Sequence, residues 1–401
     1  MSTFDDPDVQ VHRQLLSDDA RLVGMTWTHM INDGATNYLP GVLPAVLLNA
    51  REPLSLAGSL IAALAIGQAL QPLIGWISDR VGGRSILIVG FGMTTVGGAF
   101  LGETHSMAML IALLLAIGIG TSLFHPQALA AVRSITSGRR GLRTAFFLVG
   151  GELGRGLWPT LASLVVVHLG LGYLWIVGVP GLLTIGLLFR IAPSLTPVTS
   201  TRSVAVQAPW FSRLRPLATL ILYSGLRAFA VFGLVTFVPV LWHIRGDGLV
   251  SGASVITTIL VIGIVGNLGG GHLTDRFGKR VVLVGSSLAV AALVVPMGYA
   301  HGLSVWIIAG LLGCVLFMTL STTILIGQEI FPENPSLGSG IALGLANAIG
   351  AVMVLAVSLA VGKTDIHAAF VAMGAASLLS VLAALAFPRA LMHSDMIIDH
   401  K

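Results

Sequence analysis

Apolar runs of 18 or more residues with few charges recur along the whole chain, and each is long enough to cross a bilayer as a helix. No stretch shows the alternating pattern of a β-barrel, and hydrocarbon offers the backbone no hydrogen-bond partner, so helices are the predicted solution. Twelve spans are predicted: 22–49, 54–77, 84–102, 106–131, 142–169, 171–190, 214–243, 250–273, 281–301, 303–328, 336–361 and 367–388. Several exceed the roughly 20 residues a crossing needs, which implies tilt or projecting ends. The longest polar gap, 191–213, carries Pro193, Pro197 and Pro209 among Ser and Thr and reads as a linker. The chain is therefore expected to be an all-α polytopic membrane protein, with a tail over 1–21, a six-helix bundle over 22–190, a linker over 191–213, a second bundle over 214–388 and a tail over 389–401.

Composition agrees with this pattern. Only 10% of the 401 residues are charged and 55% are hydrophobic, where a soluble domain carries about 25% charged residues. The net charge of +5 raises the question of nucleic acid, but no dense basic run with interleaved aromatics exists, and nucleic-acid binding is not expected. With the N-terminus inside, seventeen of the 22 Lys and Arg residues fall in inner segments, three (Arg51, Arg245, Lys363) in outer loops and two (Arg155, Arg227) within spans. That bias places both termini in the cytoplasm. The single cysteine, Cys314, excludes a disulfide framework, and residues 1–21 lack the basic start and apolar stretch of a cleavable signal.

The chain repeats itself. Gly75-Trp-Ile-Ser-Asp79-Arg80-Val-Gly82-Gly-Arg84 follows the second span, and Gly271-His-Leu-Thr-Asp275-Arg276-Phe-Gly278-Lys-Arg280 follows the eighth, at a constant offset of 196 residues. Two such halves in parallel are a known transporter architecture. The loop resembles the signature loop of the major facilitator superfamily, and its double occurrence implies two pseudo-symmetric six-helix bundles. Further motifs are similar to the fosmidomycin-resistance branch: His29-Met-Ile-Asn32-Asp33 with Pro40 and Pro44, Gln71-Pro72, Phe124-His125-Pro126, Gly138-Arg-Arg-Gly141, Gly150-Gly151, and Gln328-Glu329 with Pro332. That resemblance implies a drug:proton antiporter of a bacterial inner membrane. The chain departs from the branch at Glu152 and Arg155, and at Trp158-Pro159 in place of Gly-Pro.

Ionisable groups inside a membrane are costly and mark function. Asp33 lies about eleven residues into span one, ~16 Å along the helix. His29 is one turn earlier on the same face, with Asn32 adjacent. Asp33, His29 and Glu152 are the candidate proton-coupling groups; a permanently hydrogen-bonded packing role is the plain alternative. Glu152 and Arg155 share a helix face and either form a static pair or exchange it for substrate and proton. Arg155 and Arg227, one from each half, are placed to grip an anion. Asn32, Arg155, Arg227 and His125 are the candidate substrate contacts, though His125 beside Pro126 also reads as a hydrogen-bonded histidine at a kink. His105, His168, His243, His301 and His367 are expected to be solvated in outer loops. Gly75, Asp79, Arg80, Arg84, Gly271, Asp275, Arg276 and Arg280 are candidate gating residues that hold helix ends while the inner side is closed. No nucleotide-binding signature, cofactor, metal site or catalytic constellation is seen. The expectation is a monomeric, non-enzymatic, proton-coupled exporter of a small anionic or zwitterionic molecule. The alternative is an importer or facilitator of an organic anion on the same fold.

Overall fold

The computed structural model describes residues 17–74, 77, 83–135, 140–193, 210–332, 335–361 and 365–392. Among these there are helices and turns and no strands. Ten helical segments are long and apolar enough to span a membrane, beginning with Leu54–Ile74 and ending with His367–Ala386. The two other predicted spans, the first and the fifth, are helical but interrupted by polar groups: His29, Asn32 and Asp33 in one, Glu152 and Arg155 in the other. Leu183, Leu303, Val265 and Leu382 stand among many large apolar side chains on the outer surface, as a bilayer requires and water would penalise.

The first span is two helices. Ser17 caps α1 (Asp18–Asn37) by accepting from the Ala20 amide, with Asp18 and Asp19 in the first turn, where carboxylates suit the helix dipole. The α-helix ends at Tyr38, whose hydroxyl donates to the Gly98 carbonyl. A second helix, α2 (Leu39–Asn49), restarts with Pro40 in its first turn. In the same half follow α3 (Ala57–Gln68), α4 (Arg84–Ala99), α5 (Met107–Ile135), α6 (Arg140–Leu169) and α7 (Val179–Ile191).

The other half contains α8 (Trp210–Ile244), α9 (Leu249–Phe277), α10 (Lys279–Met297), α11 (Leu303–Phe317), α12 (Leu320–Ile330), α13 (Pro335–Gly340), α14 (Ala346–Val361), α15 (His367–Ala386) and the short α16 (Arg389–Met392). Spans ten and eleven are interrupted, the tenth at Met318–Thr319 and the eleventh by a π-helical turn at Ile341–Leu345. The predicted linker overruns slightly, because residues 210–213 already belong to α8. Most of that linker, 194–209, and the outer parts of both tails lie outside the described residues.

Glycine sets how closely helices approach. A Cβ on Gly154 would run into the Met30 carbonyl and the Gly34 amide, and one on Gly151 into the His29 ring. The crossing of α1 and α6 is therefore backbone on backbone, as small residues permit in membranes. The halves meet through α3 with α14 and α6 with α9. Ser358 donates to the Ser55 carbonyl at 2.8 Å and accepts from the Gly58 amide at 3.2 Å. Thr160 and Thr257 share a hydrogen bond of 2.7 Å. Both contacts lie toward the end of the molecule remote from the chain termini.

Gly154→Val is expected to lower the unfolding midpoint in detergent, since overpacking costs about 1–3 kcal/mol. Gly92→Val, whose added atoms meet open space, is expected to leave it unchanged. Fluorescence-monitored melting checks this, and equal effects from the two variants refute the packing account.

Candidate functional site

The site grows from the α1–α6 crossing. Because Gly151 brings α6 against the ring of His29, the imidazole stacks on Phe147 with centroids 4.2 Å apart. Its Nδ1 lies 2.9 Å from the Phe147 carbonyl. A carbonyl only accepts, so Nδ1 carries a hydrogen and donates. In the neutral ring the lone pair is then on Nε2, which faces the Asp33 carboxylate at 3.6 Å. From α5, His125 reaches the other carboxylate oxygen with Nε2 at 2.8 Å. Its Nδ1 lies 3.4 Å from the side-chain amide of Gln71. The Asn32 amide donates to Asp33 at 3.1 Å.

Asp33 is thus held by three side chains from two helices, with its own side chain 14% exposed and that of His125 28%. His29, Asp33 and His125 bring two ring nitrogens and a carboxylate oxygen within 4.8 Å of one another. Such a grouping could hold a metal ion, and it is invisible to spacing along one helix because the third donor comes from a second.

Asn32 is fully buried and donates to Asp33. His125 belongs to the Asp33 cluster rather than standing apart as a kink histidine. Glu152 pairs with Arg155, and the Arg155 guanidinium lies 5.1 Å from the ring of Phe317 in the opposite half. Arg227 forms no ion pair with either acid among the described residues. It lies near enough to Glu152 and Arg155 for their charges to act on it, and Arg155 acts likewise on Asp33.

Buried hydrogen-bonding groups without a partner gather nearby: Arg155 Nε and Trp158 Nε1 one turn apart on α6, and Ser224 Oγ and Arg227 Nε one turn apart on α8. Such groups favour an acceptor-rich ligand between the halves, because an unpaired buried donor costs about 1–3 kcal/mol.

The structure describes the repeated loops in part. Gly75, Asp79 and Arg80 lie outside the described residues. Arg84 donates to the Phe189 carbonyl at 2.6 Å, and Arg280 to the Phe387 carbonyl at 2.8 Å. Each closing arginine therefore ties the third span of its half to the end of the sixth, where cations suit helix carbonyls. Gly271 faces open space, Asp275 is exposed with no ion pair among the described residues, and Arg276 lies beside the ring of Phe277. Sequence reasoning missed Lys279, 3% exposed and bound to both oxygens of Glu329 at 2.7 and 2.6 Å and to the Leu391 carbonyl at 3.0 Å. A lysine that is absent from the matching position of the first repeat, Gly83, was its only signal. Among the outer histidines, His367 is half-buried and stacked on Tyr299 at 4.5 Å rather than solvated.

A family model described as Major Facilitator Superfamily matches residues 25–354. The MFS-type transporter YfnC of Bacillus subtilis is 26% identical over 375 residues, covering 89% of this chain and 90% of its own. The fosmidomycin resistance protein of Escherichia coli is 23% identical over 356 residues, covering 86% and 87%. Among solved structures, the nucleoside transporter NupG superposes with a TM-score of 0.74 at 12% identity, over 92% of this chain and 99% of that one. An inward-facing, unoccupied bacterial homolog of the human lysosomal transporter Spinster gives 0.70 at 16%, over 94% and 99%. At these identities the structures speak for the fold alone.

Glu329→Gln leaves the Lys279 ammonium buried without its counter-charge and is expected to cost about 3 kcal/mol. Lys279→Met combined with Glu329→Leu removes both charges and is expected to recover most of that loss. Thermal unfolding of the three proteins in detergent tests the pair, and a single variant as stable as the wild type would overturn the assignment.

Proposed function

This chain belongs to the Major Facilitator Superfamily, and we propose that within it the protein exports a small anionic or zwitterionic molecule in exchange for protons. The observation that carries the reading is the Asp33 cluster: one buried carboxylate between two imidazoles, with the charges of Arg155 and Glu152 reaching it. With His29 Nδ1 committed to the Phe147 carbonyl, Nε2 and Asp33 share a stable contact only when one of them holds a proton. His125 offers a second place for it. A proton entering from one side can pass among three acceptors and leave from the other once the halves rock about their interface.

Arg155 and Arg227 stand on opposite halves and supply the grip on the substrate anion. A zwitterion's cationic group and a proton compete for the Glu152 carboxylate, so loading one expels the other, which links the two fluxes in opposite directions. The direction is supported by relatives with resistance in their names, among them the fosmidomycin resistance protein of Escherichia coli and the putative multidrug resistance protein MdtD of Cronobacter sakazakii, 23% identical over 397 residues. The positive-inside bias supports a bacterial inner membrane with both termini cytoplasmic. In this reading Gly271, Asp275 and Arg276 act in gating at the inner side.

Proteoliposomes under an imposed pH gradient test the reading with a panel of carboxylates and phosphonates that includes fosmidomycin. Asp33→Asn is expected to cut gradient-driven flux on the order of a hundredfold, the scale of a lost proton-transfer group. Flux that ignores the gradient and survives Asp33→Asn would refute proton coupling. Arg227→Gln is expected to weaken substrate binding about tenfold or more, as the loss of a charged hydrogen bond does. Unchanged binding would remove Arg227 from the site.

A further inference from the structure

We propose that His29, Asp33 and His125 form a binding site for a divalent transition-metal ion of the zinc class. The three donor atoms lie within 4.8 Å of one another; Asp33 Oδ2 is 3.6 Å from His29 Nε2, and Oδ1 is 2.8 Å from His125 Nε2. An ion bound tetrahedrally at 2.0–2.2 Å holds its ligand atoms about 3.3 Å apart. Closing the site therefore takes side-chain adjustments on the order of 1 Å, with no helix movement.

The surroundings are those a metal-ligating histidine needs. His29 donates from Nδ1 to the Phe147 carbonyl, which fixes the ring and points the Nε2 lone pair at the site. His125 has the Gln71 amide at its Nδ1. When a metal displaces the hydrogen from His125 Nε2, Nδ1 becomes the donor, and the Gln71 amide accepts through its oxygen after turning over. The Asn32 amide binds one Asp33 oxygen at 3.1 Å and leaves the other, the one nearer His29, for the ion. Two nitrogens and one carboxylate suit zinc, cobalt, nickel or copper and disfavour magnesium and calcium. Three protein ligands beside the partly exposed face of His125 leave room for a fourth, exchangeable ligand.

The ion would take the same lone pairs that a proton takes in the transport cycle and would therefore arrest proton-driven flux. The site itself stands on geometry and does not require the coupling reading.

Cobalt(II) titrated into the purified full-length protein in detergent, without any gradient, is the test. One equivalent is expected to bind with the strong visible absorption of a four- or five-coordinate ion and to be displaced by zinc. His125→Ala is expected to abolish that spectrum, and His125→Cys to retain binding and add a thiolate-to-cobalt charge-transfer band. Gln71→Leu is expected to weaken affinity about 10–100-fold, and His105→Ala to change nothing. Elution and melting profiles matching the wild type keep the variants comparable. No stoichiometric binding, only the weak bands of six-coordinate cobalt, or a spectrum that survives His125→Ala overturns the site. The two readings fail separately. Loss of proton-driven flux in Asp33→Asn with no cobalt bound by the wild type refutes the metal site alone. Cobalt bound as expected, with flux that ignores the gradient, upholds the site and refutes the coupling.

Discussion

A carboxylate taken out of water must be compensated where it stands, and the compensation of Asp33 organises the interior of the first half. Two imidazoles, one carboxamide and the more distant charges of α6 surround it. Each of these positions has a structural precondition. His29 can sit where it does because Gly151 has no side chain, α6 can cross α1 because Gly154 meets the Met30 backbone directly, and His125 can reach across because α5 packs beside both. The cost of the buried charge is thus spread over helix packing that would otherwise need no particular residues.

The two halves share a plan and differ in chemistry. Both are tied by the closing arginine of the repeat, in one half to Phe189 and in the other to Phe387. The first half holds the imidazole–carboxylate cluster and the Glu152–Arg155 pair. The second contributes Arg227, Ser224 and the ring of Phe317, and its own ion pair, buried Lys279 with the more exposed Glu329, sits at the end nearer the chain termini. The proposed proton-accepting groups and the proposed anion grip of Arg227 therefore lie on opposite halves.

How much of this was legible depended on distance along the chain. Apolar length announces helices because a bilayer tolerates little else, and the spacing of His29 and Asp33 shows one helix face, so both could be read directly. The broken first span was only half legible: Pro40 signals a restart, but the Tyr38 bond to Gly98 comes from a helix 60 residues away. The joining of His125 to Asp33 depends on how α5 packs against α1, which no periodicity encodes. The full burial of Asn32 was not legible, because adjacency in sequence says nothing of burial. The loop residues Arg84 and Arg280 were recognised as a repeated pair, yet their bonding partners are carbonyls, and a backbone group leaves no trace in the sequence.

Those two arginine-to-carbonyl ties have a mechanical consequence. With the third and sixth spans of a half fastened at one end, a torque reaching either member is delivered to both, and the half turns as a stiff lever instead of shearing between its helices. Compliance must then come from elsewhere, and the fold offers the interruptions for it: the joint at Tyr38, the step at Met318–Thr319 and the widened turn at Ile341–Leu345. Stiff frames joined by a few yielding points would let a small displacement near Asp33 emerge as a large opening at the membrane surface.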